Sequence, residues 1–98
     1  MTLAEFTRSI DGAEAPPGLS PALLALWHDG RSDWDAAHQV AQDIDDPTGA
    51  WIHAYLHRKE GDLNNADYWY RRAGKTPARD GLAAEWTRIA DALLAAPD

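Results

Sequence analysis

Apolar residues recur along this chain at spacings of three and four, and no stretch alternates with period two for long enough to read as a strand. Glycine and proline divide the periodic stretches into pieces of helical length. Pro16-Pro17-Gly18 sets a short segment, with a turn or two of helix from Leu3 to Ile10, apart from the body. Ser20 as N-cap and Pro21 at the first helical position open a helix, PALLALWHD, that should stop near Gly30. Ser32 or Asp33 can cap the next, DWDAAHQVAQDI, which ends before the Asp45-Asp46-Pro47 turn. Thr48 is the expected cap of GAWIHAYLHRKE, closed by Gly61. Asp62 caps LNNADYWYRRAG, which ends at Gly74 and Pro77. A last helix, from about Asp80 to Ala96, carries Leu82, Glu85, Trp86, Ile89, Leu93 and Leu94.

An internal repeat organises these pieces. An offset of 29 residues lays Ala22 on Trp51, Leu23 on Ile52, Ala25 on Ala54, Leu26 on Tyr55 and His28 on His57. It also lays Asp33 on Asp62, Trp34 on Leu63, Ala37 on Ala66 and Val40 on Trp69. Each unit is a helical hairpin, and a single hairpin cannot bury its apolar face, so stacking is expected. The prediction is an all-α fold: two stacked antiparallel hairpins, 21–46 and 48–76, and a capping helix over 80–96 that covers the open end of the second hairpin. Residues 20–98 then form one domain, preceded by a partly ordered segment, 1–19.

In the second hairpin Ala54, Ala66, Tyr70 and Ala73 follow one another at intervals of 12, 4 and 3. That pattern resembles the tetratricopeptide repeat, in which small residues let paired helices approach closely, and GDLNNADYWYRRAG resembles the related Sel1-type repeat. The likeness covers about Thr48 to Pro77 and, more loosely, Pro21 to Pro47, where Ala25, Ala37, Ala41 and Ile44 take the same places. The sequence departs from the family where its leucine and tyrosine are replaced by His53 and His57, where its early aromatic falls on Ala50 beside Trp51, and where Pro77 comes one residue early. The resemblance implies a concave surface lined by Trp51, Tyr55, Arg58 and Lys59, with His53 and His57 against the partner helix. The WYRRAG ending is also similar to that of a group of small bacterial proteins, and brings no activity with it.

Composition narrows the function classes. The chain of 98 residues has no cysteine, so disulfides and thiolate metal sites are excluded and any metal must be held by His, Asp or Glu. The N-terminus lacks a basic start followed by an apolar run, and no segment approaches the ~18 apolar residues of a membrane span, so a soluble, cytoplasmic protein without membrane contact is expected. A net charge of −7 argues against nucleic-acid binding, which depends on neutralising phosphates. The charge is uneven: six acids against Arg31 between His28 and Trp51, a net of −5, and six basic residues against Glu60, Asp62 and Asp67 from Arg58 to Arg79, a net of +3. Such a division suits an acidic partner or the pairing of two copies.

The candidate chemistry lies in WIHAYLHRKEGD. His53 and His57 stand four apart with Glu60 three further on, a spacing that lets two imidazoles share one ion. A helical wheel sets these three opposite the apolar Trp51, Ile52, Tyr55 and Leu56, as an accessible site, in conflict with the register the family implies. The alignment of His28 with His57 favours instead a role in the repeat, such as hydrogen-bonding a turn. A metal would need further ligands from His28, His38, Glu60 or Asp29. No phosphate loop, nucleophile elbow or cysteine nucleophile occurs, and Asp45-Asp46 before Pro47 reads as turn chemistry. Five tryptophans and three tyrosines, with Trp34, Trp69 and Trp86 in the core, suit either a binding surface or the filling of gaps between short helices that lack Phe and Met. The leading expectation is a non-catalytic protein-interaction module without a cofactor, which engages an acidic peptide or a second copy through Trp51, Tyr55, Arg58, Lys59, Tyr68, Arg71 and Arg72. The alternative is a metal-binding or hydrolytic protein that holds a divalent transition ion on His53, His57 and Glu60 with His28 or His38.

Overall fold

The computed structural model describes residues 1–95, which form six α-helices and no strand. These are α1 (Leu3–Ser9), α2 (Pro21–Gly30), α3 (Trp34–Gln42), α4 (Pro47–Glu60), α5 (Leu63–Ala73) and α6 (Leu82–Ala95). The all-α expectation is met. Local chemistry sets most boundaries: the side chains of Ser20, Asp33 and Asp62 accept the backbone N–H of Leu23, Ala36 and Asn65, each satisfying a first-turn donor. For α4 the cap is Asp46 and not Thr48, because Pro47 needs no hydrogen-bond partner at the first helical position and starts the helix earlier. Gly61 (φ 89°) and Gly74 (φ 71°) close α4 and α5 in left-handed backbone that a side chain would strain. α3 stops at Gln42, short of the expected Ile44, and the expected last residue of α6, Ala96, lies outside the described residues.

α2 and α3 pack as one hairpin, α4 and α5 as a second, and α3 stacks on α4. The 29-residue repeat is visible in the turns: the Asp33 N–H donates to the His28 carbonyl at 3.0 Å, and the Asp62 N–H to the His57 carbonyl at 3.0 Å. Small residues sit where the helices approach: Ala25, Ala37 and Ala41 in the first hairpin, Ala54, Ala66 and Ala73 in the second, all buried.

The placement of α6 differs from expectation. It lies across α2 and α4, the first helices of both hairpins, and not over the end of the second hairpin. The reason is area. Leu23, Leu26, Trp27, Ile52, Tyr55 and Leu56 form a face that stacking two hairpins leaves open, and the stripe of Leu82, Trp86, Ile89, Ala90 and Leu93 on α6 joins the same cluster. The N-terminal segment joins it too. Phe6 is fully buried and stacks on Trp86 with ring centroids 5.7 Å apart, and the Trp27 indole N–H donates to the Ser9 carbonyl at 3.2 Å. Through Phe6, with Leu3 and Ile10 packed beside it, α1 is thus fastened to the core while its outer residues stay exposed.

Two carboxylates are buried beneath α6. Glu85, with no exposed surface, accepts from the Tyr70 hydroxyl at 2.6 and 2.8 Å, from Arg58 at 2.8 Å and from the Trp51 indole at 3.4 Å. Asp29 accepts from the Tyr55 hydroxyl and from the Lys59 ammonium, both at 2.9 Å. Burial and the adjacent carboxylates hold both phenols well above their ordinary range, so they serve as donors at any physiological pH. Among the described residues no helix is long and apolar enough to cross a membrane.

Candidate functional site

Where α3 stacks on α4, three histidines meet. His38 comes from α3 of the first hairpin; His53 and His57, one turn apart, come from α4 of the second. The Nε2 atoms of His38 and His53 are 2.9 Å apart, so one ring donates and the other accepts. His53 and His57 stack with centroids 4.8 Å apart, and one ring nitrogen from each of the three lies within 4.8 Å of the others. Nδ1 of His57 is 2.6 Å from the Glu60 carboxylate, which keeps the ring proton on Nδ1 and leaves Nε2 as the lone-pair atom, 3.4 Å from the Asn65 amide nitrogen. Indoles close both sides: Trp69 lies flat on His53 at 4.0 Å, and Trp34 on His38 at 4.9 Å, anchored by its own N–H to the Leu56 carbonyl at 2.8 Å.

His53 and His57 are each only 7% exposed, which decides between the two sequence readings: they face neighbouring helices and not solvent. His28 does not join them. It packs edge-on against Trp27, and the part it shares with His57 is the backbone turn bond, not the ring. Burial, reinforced by the charges that His38 and His57 could carry, pushes His53 down to about 4, and burial followed by His57 also lowers His38. A histidine held low in the folded state gains a proton first in the unfolded chain, so the stability it supports is complete above pH ~6.5 and is lost as pH falls toward 4. For the metal-free protein the expected loss across that window is on the order of 2 kcal/mol. Urea unfolding at pH 7.5, 5.5 and 4.5 checks this, with His53→Gln expected to flatten the pH dependence relative to wild type.

The residues expected to bind a partner are scattered by the fold. Tyr55, at 2% exposure, is a core residue, which corrects its assignment to an open surface. Arg58 is likewise committed, to Glu85 and the Asp80 carbonyl, and Lys59 pairs with Asp29. For Tyr55 and Arg58 the reason is α6, which with α2 covers the face they were expected to line, whereas Lys59 stays exposed beside Asp29. Trp51 is half-buried, its ring covered by the Lys75 ammonium at 4.3 Å. On α5 the picture holds better: Arg71 and Arg72 are exposed, Tyr68 is 43% exposed, and the Arg72 guanidinium lies over both Tyr68 and Trp69, at 5.7 and 5.3 Å from the ring centroids. A cleft of about 280 Å³ beside them is lined by Arg72, Trp69, His53, Asp45 and Asp46.

Sequence reasoning missed the roles of Trp34, Trp69 and Asn65 around the imidazoles, and of Glu85 and Asp29 beneath α6. A signal for the last two was present. Glu85 falls three after Leu82 and one before Trp86, on the apolar stripe, and Asp29 follows Ala22, Ala25 and Leu26 in the same way; an acid on such a stripe is buried with partners or not at all. No family model, curated protein or solved structure matches this chain.

Proposed function

We propose that this protein is a small non-catalytic interaction module that takes an acidic segment of a partner protein on the outward face of α5. The observation that supports the reading is the pairing of exposed Tyr68 with Arg72, flanked by Arg71 and Lys75 and backed by Trp69. Tyrosine, tryptophan and arginine in contact are the side chains that dominate binding hot spots, and the stacked guanidinium keeps free N–H donors for a carboxylate. The chain supplies an internal precedent in Glu85, which is met by a tyrosine hydroxyl together with an arginine. With α6 over α2 and α4, the resemblance to tetratricopeptide repeats supports interaction as a class but not through their usual inner groove.

Cross-linking of the purified protein in its source lysate, followed by identification of the cross-linked peptides, tests the reading. Acidic segments joined to α5, lost at least tenfold in Arg71→Glu with Arg72→Glu while helicity is unchanged, are the expected result. Cross-links that survive the charge reversal, or that map elsewhere, would refute it. Cross-links solely to a second copy would make the protein a self-associating one, which sedimentation velocity would then show as a dimer.

A further inference from the structure

The imidazole cluster adjoins the outward face of α5 through Trp69, but its assignment does not depend on the partner-binding reading. Three histidines drawn from two hairpins and gathered in one contact, His53 and His57 buried and His38 partly so, are a costly way to fill an interface, since apolar side chains of similar volume would stack the same helices without desolvating ring nitrogens. What the histidines add is a convergent set of ring nitrogens, all able to offer lone pairs once the proton between His38 and His53 has moved to the other nitrogen of its ring. We propose that His38, His53 and His57 form a binding site for a divalent late first-row transition ion, zinc, cobalt, nickel or copper, between the two hairpins.

Four observations carry the assignment. First, one ring nitrogen from each residue lies within 4.8 Å of the other two, and a tetrahedral ion bonded at about 2.0–2.1 Å needs its ligands about 3.3 Å apart. The 2.9 Å between the Nε2 atoms of His38 and His53 has to open slightly and the wider separations to close, by turning of the rings within their own planes so that His38 and His53 stay stacked on their indoles. Second, His57 is held through Nδ1 by Glu60, the outer-shell carboxylate that commonly orients a metal-bound imidazole and raises its basicity. Third, Trp34 and Trp69 stack on His38 and His53 and lock the ring planes, as a preformed site requires. Fourth, the donor set is all nitrogen with no thiolate, which suits imidazole-preferring ions and not the oxygen-seeking magnesium or calcium. Three protein ligands leave one position open for water or an added ligand. A second grouping, His57 with Glu60 and Asp62, is the weaker candidate: both acids are exposed, and the Asp62 carboxylate already caps α5.

An ion here would tie the first hairpin to the second, so binding and stability are linked. The untagged protein is stripped with chelator, dialysed and titrated with Co²⁺, then Zn²⁺, with visible absorption, calorimetry and melting temperature as readouts. One equivalent, intense tetrahedral-type cobalt bands displaced by zinc, and a rise in Tm of several degrees are expected. His38→Ala should weaken binding at least 100-fold and Glu60→Gln about 10- to 100-fold, with His28→Ala unchanged. Binding that survives His38→Ala but is lost in Asp62→Asn would overturn the site in favour of the exposed grouping. Absence of binding at micromolar metal would overturn it outright. The ring ¹⁵N shifts of the wild-type protein give a reading that needs no variant and so does not depend on His38→Ala folding. Zinc should move those of His38, His53 and His57 together and leave His28 alone, and any other pattern refutes the proposal.

Discussion

Glu85→Ala should destabilise the protein by about 3–5 kcal/mol, the cost of leaving a buried cation without its counter-ion. Glu85 is the centre of the contact between α6 and the second hairpin. Its two oxygens take the Arg58 guanidinium, the Tyr70 hydroxyl and the Trp51 indole, and neither Glu85 nor Tyr70 has more than 1% of its surface exposed. Truncation leaves the partly buried Arg58 with the Asp80 carbonyl but no counter-ion, and leaves the buried phenol without an acceptor. Set against the ~5–15 kcal/mol that holds a domain of this size together, the loss removes from about a fifth to nearly all of the stability. Glu85→Gln keeps the shape and one acceptor, and should cost less. Urea unfolding followed by far-ultraviolet circular dichroism measures both. A loss under 1 kcal/mol for the alanine variant would mean that the apolar stripe of α6 alone secures the helix and that Arg58 swings to solvent.

Gly49→Ala should cost about 2 kcal/mol or more, against the trend of helix propensity. Alanine is the better helix former by about 1 kcal/mol, so propensity alone predicts stabilisation. Gly49, however, lies in the first turn of α4 hard against the preceding loop: a Cβ there would press on the Ile44 carbonyl oxygen and stand 2.6 Å from Ile44 Cβ. The obstacle is backbone and a branched carbon, neither able to move aside as a flexible side chain can, and overpacking of this kind typically costs about 1–3 kcal/mol or more. Gly81→Ala is the control, since a Cβ at Gly81 meets nothing within 4 Å. Thermal melts of the two should diverge, with Gly49→Ala lower by roughly 8 °C or more. Equal melts would show that the α3–α4 loop is free to shift.

The helices were legible because their signals are local: Ser20-Pro21, Asp33, Gly61, Asp62 and Gly74 act within a turn of where they stand. The position of α6 was not, since a stripe of apolar residues declares that something must cover it without saying which face. The histidines show the same limit. A helical wheel assumes that one side of a helix is wet, whereas α4 is packed by α2, α3, α5 and α6 together, and every residue from Ile52 to His57 is buried. An accessible His53 and His57 was therefore the wrong inference from a correct periodicity. The repeat also misled. It paired His28 with His57, yet the residues that converge on His57 are those that break the repeat: His53 stands opposite Leu24, and His38 opposite Asp67. A departure from internal symmetry was the better pointer to a site than agreement with it.

The arrangement of α6 also sets the order in which the molecule can be completed during its own synthesis. Both hairpins leave the ribosome before residue 82, and each can pair its helices as it emerges. Their shared inner face cannot close then, because the strip that seals it follows them out of the ribosome. Arg58 and Tyr70 emerge ahead of Glu85, hydrated and exchanging partners with the surrounding solvent or any chaperone at hand. The nascent chain thus passes through a stage at which a basic, aromatic surface later sealed from view is open to any acidic molecule that reaches it.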